Sequence, residues 1–130
     1  MKTRVELAPQ VEDFLRRLAP GPSRALRLAL GLPTDRPVIL FASIFSRRKQ
    51  PDLLLRAWQT MLDAGHPAAL MFVGGTGARC HEIDEELAAQ LRRKVSGLDE
   101  ATRRHVRFID ATPHIDAYYR AADIFALPSM

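Results

Sequence analysis

The chain has 130 residues, of which 47% are hydrophobic and 26% charged, with 19 Lys and Arg against 15 Asp and Glu for a formal charge of +4. That is about one domain's worth of chain with apolar content enough for a core, which excludes a disordered polypeptide. The moderate basic excess fits an anionic small ligand, an anionic membrane surface or nucleic acid, and alone it separates none of them.

The start, Met1 to Glu6, lacks an apolar signal region, and no run of the sequence is long enough to span a bilayer. The sole cysteine, Cys80, leaves no internal disulfide and points to a reducing compartment. The expected location is the cytoplasm, with peripheral membrane contact left open by the charge. Leu7 to Leu18 reads as a short helix with Val11, Phe14, Leu15 and Leu18 on one stripe, closed by Pro20-Gly21-Pro22. Ser23 is a suitable N-cap for a second helix, Arg24 to Leu30, ended by Gly31 and Pro33.

Pro37-Val38-Ile39-Leu40-Phe41-Ala42 is a continuous apolar run rich in β-formers, as expected of a strand covered on both faces of a parallel sheet. Ser43 to Ser46 leads out of it into Arg47-Arg48-Lys49-Gln50, and Pro51-Asp52 opens an amphipathic helix. Three cations meeting a helix N-terminus at the carboxyl end of a strand suit phosphate. Leu53, Leu54, Ala57, Trp58, Met61 and Leu62 are the expected inner face of that helix, which Gly65-His66-Pro67 stops. Trp58 reads as core packing.

Ala68 to Val73 is a second buried strand, followed by Gly74-Gly75-Thr76-Gly77, a turn that reads equally as a ligand cradle and as a plain strand end. A helix from about His81 to Val95 carries Ile83, Leu87, Leu91 and Val95 inward, acids early and bases late. Asp99 to Arg104 is a short helical piece, Val106 to Ile109 a third strand, Ile115 to Ala121 a short helix and Asp123 to Leu127 a fourth strand. His66, His81, His105 and His114 share no metal-ligand spacing, so no metal site is expected. The alternation of strand and helix predicts an α/β fold: a Rossmann-like parallel sheet of about four strands with flanking helices. From the residues alone this is an anion- or nucleotide-binding domain.

Four blocks carry a more specific likeness. Phe41 to Trp58 resembles the "vGRl..rKGpdlLLrAw" segment of retaining group 1 (family 4) glycosyltransferases. Leu70 to Gly75 is similar to their "LvlvGdG", Val106 to Asp110 to "VrflG", and Tyr118 to Ser129 to "lYraADvfvlPS". In that family these blocks open the C-terminal, nucleotide-sugar-binding domain of a two-domain GT-B enzyme. The residues themselves give a helical lead-in over 1–36. The resemblance, which covers roughly Pro37 to Met130, implies a partial Rossmann-like donor domain over 37–130, cut before its end.

By the same resemblance Lys49 would bind the diphosphate of a nucleotide diphosphate sugar. Ile44 and Ser43 stand where the family has arginine and glycine, which leaves Arg47 or Arg48 to supply the missing cation. Gly74, Gly75 and Gly77 would line the nucleotide, backbone at Phe108, Ile109 and Asp110 would face the base, and Pro128-Ser129 would lie near the phosphates. Asp110 also departs from the family glycine. The paired glutamates that contact the donor sugar are expected beyond Met130, and the N-terminal acceptor domain is expected to be missing, so this chain alone is expected to be inactive. No cofactor besides the donor and no nucleic acid is implied.

Without the resemblance, a solvated loop is the favoured reading of Arg47-Arg48-Lys49; with it, phosphate binding is. The alternative function is a non-catalytic nucleotide-binding or interaction module. A dinucleotide oxidoreductase would want G-x-G-x-x-G directly after the first strand, where this chain has Ser43-Ile44-Phe45-Ser46.

Overall fold

A computed structural model describes residues 24–74 and 82–129. The helix expected over Leu7–Leu18, the Ser23 cap, Cys80, Gly75 and Gly77 lie outside the described residues. In chain order the elements are α1 (Arg24–Ala29), β1 (Val38–Ala42), a 3-10 turn (Arg47–Lys49), α2 (Pro51–Asp63), β2 (Ala69–Val73), α3 (Glu85–Ser96), α4 (Glu100–Arg103), β3 (Val106–Ile109), α5 (Ile115–Ala121) and β4 (Ile124–Phe125).

The four strands form one parallel sheet in the order β3-β2-β1-β4. Val38 lies opposite Ala69 and Phe41 opposite Phe72, while Ile39 and Leu40 face Ile124 and Phe125. The two central strands are apolar throughout because both of their faces are covered. Ile39, Phe41, Leu70 and Phe72 pack on one face against Leu55 and Trp58 of α2 and Leu87, Leu91 and Val95 of α3. Val38, Leu40, Ala69, Met71 and Val73 pack on the other with Leu32 and Ala121, flanked by Leu26, Ile115 and Tyr118. The Rossmann-like parallel architecture of four strands is as expected.

The inner face of α2 is as expected at Trp58 and at the partly buried Leu54, Met61 and Leu62, and departs from expectation at Leu53 and Ala57. Pro51, Leu55 and Trp58 are its buried residues, whereas Leu53 is 40% exposed and Ala57 is exposed. Three consecutive leucines at 53–55 leave the helix rotation open, and Trp58 decides it. Its indole N–H donates to the Ala68 carbonyl at 2.9 Å, which turns Leu55 toward the sheet. Helix α3 begins at Glu85, because Asp84 serves as its N-cap and accepts from the Leu87 N–H at 2.9 Å. The fourth strand is also shorter than expected. Among the described residues it pairs with β1 alone, and the flanking bonds from Asp123 N to Val38 O and from Ala126 N to Leu40 O extend that contact along the same side.

One buried charge ties the layers. Arg27 of α1 is 7% exposed and donates from Nε to the Ala121 carbonyl, from Nη1 to the Arg36 carbonyl and from Nη2 to the Asp123 carboxylate. The same carboxylate oxygen accepts from the Val38 N–H at 2.8 Å. Asp123 thus joins α1, the first residue of β1 and the entry to β4.

Candidate functional site

In a parallel sheet all strands point the same way, so the segments after β1, β2, β3 and β4 gather along one edge. The loop after β1 leaves through Ser43, whose N–H donates to Val73 O at 3.2 Å. Phe45 then turns back into the core and is 1% exposed. Its ring lies 6.0 Å from Phe41, edge-on to Phe72 at 5.4 Å and edge-on to Phe108 at 6.1 Å. In the sequence Ser43 to Ser46 reads only as the exit from the strand, and the apolar pair Ile44-Phe45 within it was the available signal that the loop is anchored.

From this anchor the chain rises into the 3-10 turn Arg47–Lys49 and reaches Gln50 at φ 52°, ψ 51°, a left-handed conformation unusual for a residue with a Cβ. Pro51 starts α2 directly after it. The three cations have different surroundings. The Arg47 Nε lies 3.2 Å from Asp84 Oδ2, while Arg48 is exposed and Lys49 half-buried. Among the described residues neither Arg48 nor Lys49 is in an ion pair. Asp84 also donates its backbone N–H to the Phe45 carbonyl at 2.7 Å. Ile44, at the position of the family arginine, is half-buried.

The turn after β2 starts at Gly74, with φ +79° and no atom within 4 Å of a Cβ placed on it. Its glycine therefore answers to backbone conformation, and the space beside it is open. The Gly74 N–H donates to the Ile109 carbonyl at 2.8 Å, which occupies one backbone acceptor at the end of β3. The Phe108 ring stacks on Phe72 at 5.3 Å and 12°, with the Arg92 guanidinium 4.9 Å above it. Its side chain is committed to packing, so only the backbone of Phe108 and Ile109 remains for a ligand. Ser129, after β4, is exposed.

Strand order sets the neighbours: β1 lies between β2 and β4, so the Lys49 loop stands between the Gly74 turn and Pro128-Ser129. Beside it a depression of about 200 Å³ is lined by Arg47, Gln50, Asp52, Leu53, Arg56 and Leu87. Arg47 lines this depression beside Arg56, with Asp52 there and Asp84 paired to Arg47 as counter-charges, whereas Arg48, Lys49, Gly74 and Ser129 do not line it. Arg48 and Lys49 share one 3-10 turn, and two adjacent cations are able to hold a doubly charged anion. Among the described residues no helix is long and apolar enough to cross a membrane.

Comparison with known proteins gives one family match. The family model for "Glycosyl transferases group 1" matches residues 23–130. Among similar curated proteins, the D-inositol 3-phosphate glycosyltransferase of Nocardia farcinica is 34% identical over 98% of this chain and 28% of its own length. That of Corynebacterium jeikeium is 37% identical over 87% of this chain and 27% of its own. That of Saccharomonospora viridis is 34% identical over 88% and 27%. The chain thus spans little more than a quarter of the length of these relatives.

Proposed function

The chain belongs to the group 1 glycosyl transferases, and on that premise we propose that it supplies the donor-binding edge of an enzyme that moves a sugar from a nucleotide diphosphate sugar to a hydroxyl acceptor with retention. The observation that carries this reading is the placement of the Lys49 loop between the Gly74 turn and Ser129 at the carboxyl edge of the sheet.

Lys49 and Arg48 hold the diphosphate, and their charge matters most as the glycosidic bond to the departing phosphate oxygen breaks and negative charge builds there. The positive φ of Gly74 lets backbone approach the nucleotide. The base lies against the chain at 108–110, and Ser129 lies beside the phosphates. The carboxylates that contact the donor sugar and the surface that binds the acceptor belong to other parts of a longer enzyme. The relatives' name supplies the acceptor class of that enzyme, a phosphorylated inositol offering a hydroxyl.

Titration of the folded 130-residue chain with uridine, guanosine and adenosine diphosphates, followed by calorimetry or by amide NMR shifts, tests the reading. Weak binding of one of them, with shifts at Lys49 and Gly74, is expected. A folded chain that binds none overturns it.

A further inference from the structure

We propose that Asp84 is a positioning residue for the phosphate-facing loop, holding Arg47 away from the ligand so that Arg48 and Lys49 present the charge; this rests on the donor-site reading above. Three contacts converge on Asp84. Its Oδ1 accepts from the Leu87 N–H and caps α3, its Oδ2 faces the Arg47 Nε at 3.2 Å, and its own N–H donates to the Phe45 carbonyl at 2.7 Å. The residue therefore belongs to three structures at once: the start of α3, the buried root of the β1 loop and the first cation of the basic turn. Phe45 fixes the root of that loop, and Asp84 fixes its rise. Arg47 is consumed by this tie. Lys49 and Gln50 follow on a turn whose own bonds are two local ones, Lys49 N to Ser46 O and Gln50 N to Arg47 O.

Charge alone makes the opposite prediction. Removing a carboxylate beside an anion site strengthens anion binding, and removing an arginine weakens it. If the pair acts as a tie, both changes loosen the same turn and both weaken binding. Asp84→Asn is the informative variant, since asparagine caps a helix as well as aspartate does and keeps the backbone bond. The Arg47 side chain is 73% exposed, so the effect is modest.

The experiment uses the 130-residue chain and its Asp84→Asn, Arg47→Gln and double variants, with Asp116→Asn on α5 as a control that breaks the exposed Arg120–Asp116 pair. Amide hydrogen exchange without ligand is read first. Faster exchange at Lys49 and Gln50 in both single variants, with the control unchanged, is expected; unchanged exchange overturns the tie whether or not a nucleotide binds. Binding of the nucleoside diphosphate that the wild-type chain takes is read second. The expected result is binding weakened about three- to fivefold in each single variant and no further in the double. Tighter binding by Asp84→Asn with weaker binding by Arg47→Gln overturns the proposal and makes Arg47 a phosphate ligand. Failure of the wild-type chain to bind any nucleoside diphosphate, with the exchange result intact, sinks the donor-site reading and leaves the tie standing.

Discussion

Lys49 and Arg56 lie seven positions apart, and the donor-site reading separates them. Lys49 stands on the strand-to-helix turn, and Arg56 is exposed on α2. Lys49→Ala is expected to weaken nucleoside diphosphate binding by about 1.5–3 kcal/mol, the cost of one charge-assisted phosphate contact, and Arg56→Ala by much less. Calorimetry on both variants checks this, and equal affinities would mean that Lys49 is only solvated. Gln50 holds a left-handed conformation at the point where the resembling motif reads "KG". Gln50→Gly removes roughly 1–2 kcal/mol of strain and returns about 0.5–1 kcal/mol of unfolded-state entropy. A melting temperature raised by a few degrees is the expected net result. His105 lies before β3, and its buried Nδ1 has no partner among the described residues. Burial first, and Arg36 and Arg104 second, hold its imidazole below the usual histidine value. The unfolded chain then binds a proton more readily, so stability falls as pH drops through about 6.5 and levels off below the folded value. His105→Gln is expected to shrink the difference in melting temperature between about pH 7.5 and about pH 5.5; an unchanged difference would place the acid sensitivity elsewhere.

At the level of elements, the strands were readable because a strand buried on both faces must be apolar throughout, and Val38–Phe41 and Ala69–Val73 are. Periodicity could not choose among Leu53, Leu54 and Leu55, since the choice was made by the Trp58 bond to a carbonyl ten residues away. Asp84 as a cap was hidden for a related reason: four acids at 82, 84, 85 and 86 offer several starts to one helix. The candidate site was legible as far as its loops, because parallel strands joined by crossover helices bring the loops after them to one end of the sheet. The pairing of Arg47 with Asp84 was not, because it depends on a partner that a folded loop delivers. The Arg27–Asp123 pair was the least legible, being 96 residues apart in sequence. Asp123→Ala leaves the Arg27 guanidinium buried without its carboxylate and removes the acceptor for the Val38 N–H. A loss of about 3 kcal/mol is expected, read by urea unfolding. A loss under about 1 kcal/mol would show that water replaces the carboxylate.

Among the described residues the sheet is closed on both faces and open along β4. Ile124 and Phe125 are each 48% exposed, Tyr119 46% and Leu127 39%, with Tyr119 lying 5.3 Å from Phe125. A sheet edge with apolar side chains is a template for pairing with another chain. The 130-residue chain is expected to self-associate as its concentration rises, and Phe125→Lys to suppress this in light scattering coupled to size exclusion. A monomer at every concentration would show that the edge is protected. The bond between Arg27 and Asp123 also has a consequence in time. A ribosome releases the first helix and β1 long before it releases β4, yet β1 needs β4 on one flank and Arg27 needs Asp123 for its charge. During synthesis the guanidinium and one side of the central strand must wait in water until the segment around Asp123 has been made. This half of the sheet is therefore completed only when β4 has been made, and a polypeptide stalled before Asp123 exposes the flank of β1 that β4 later covers.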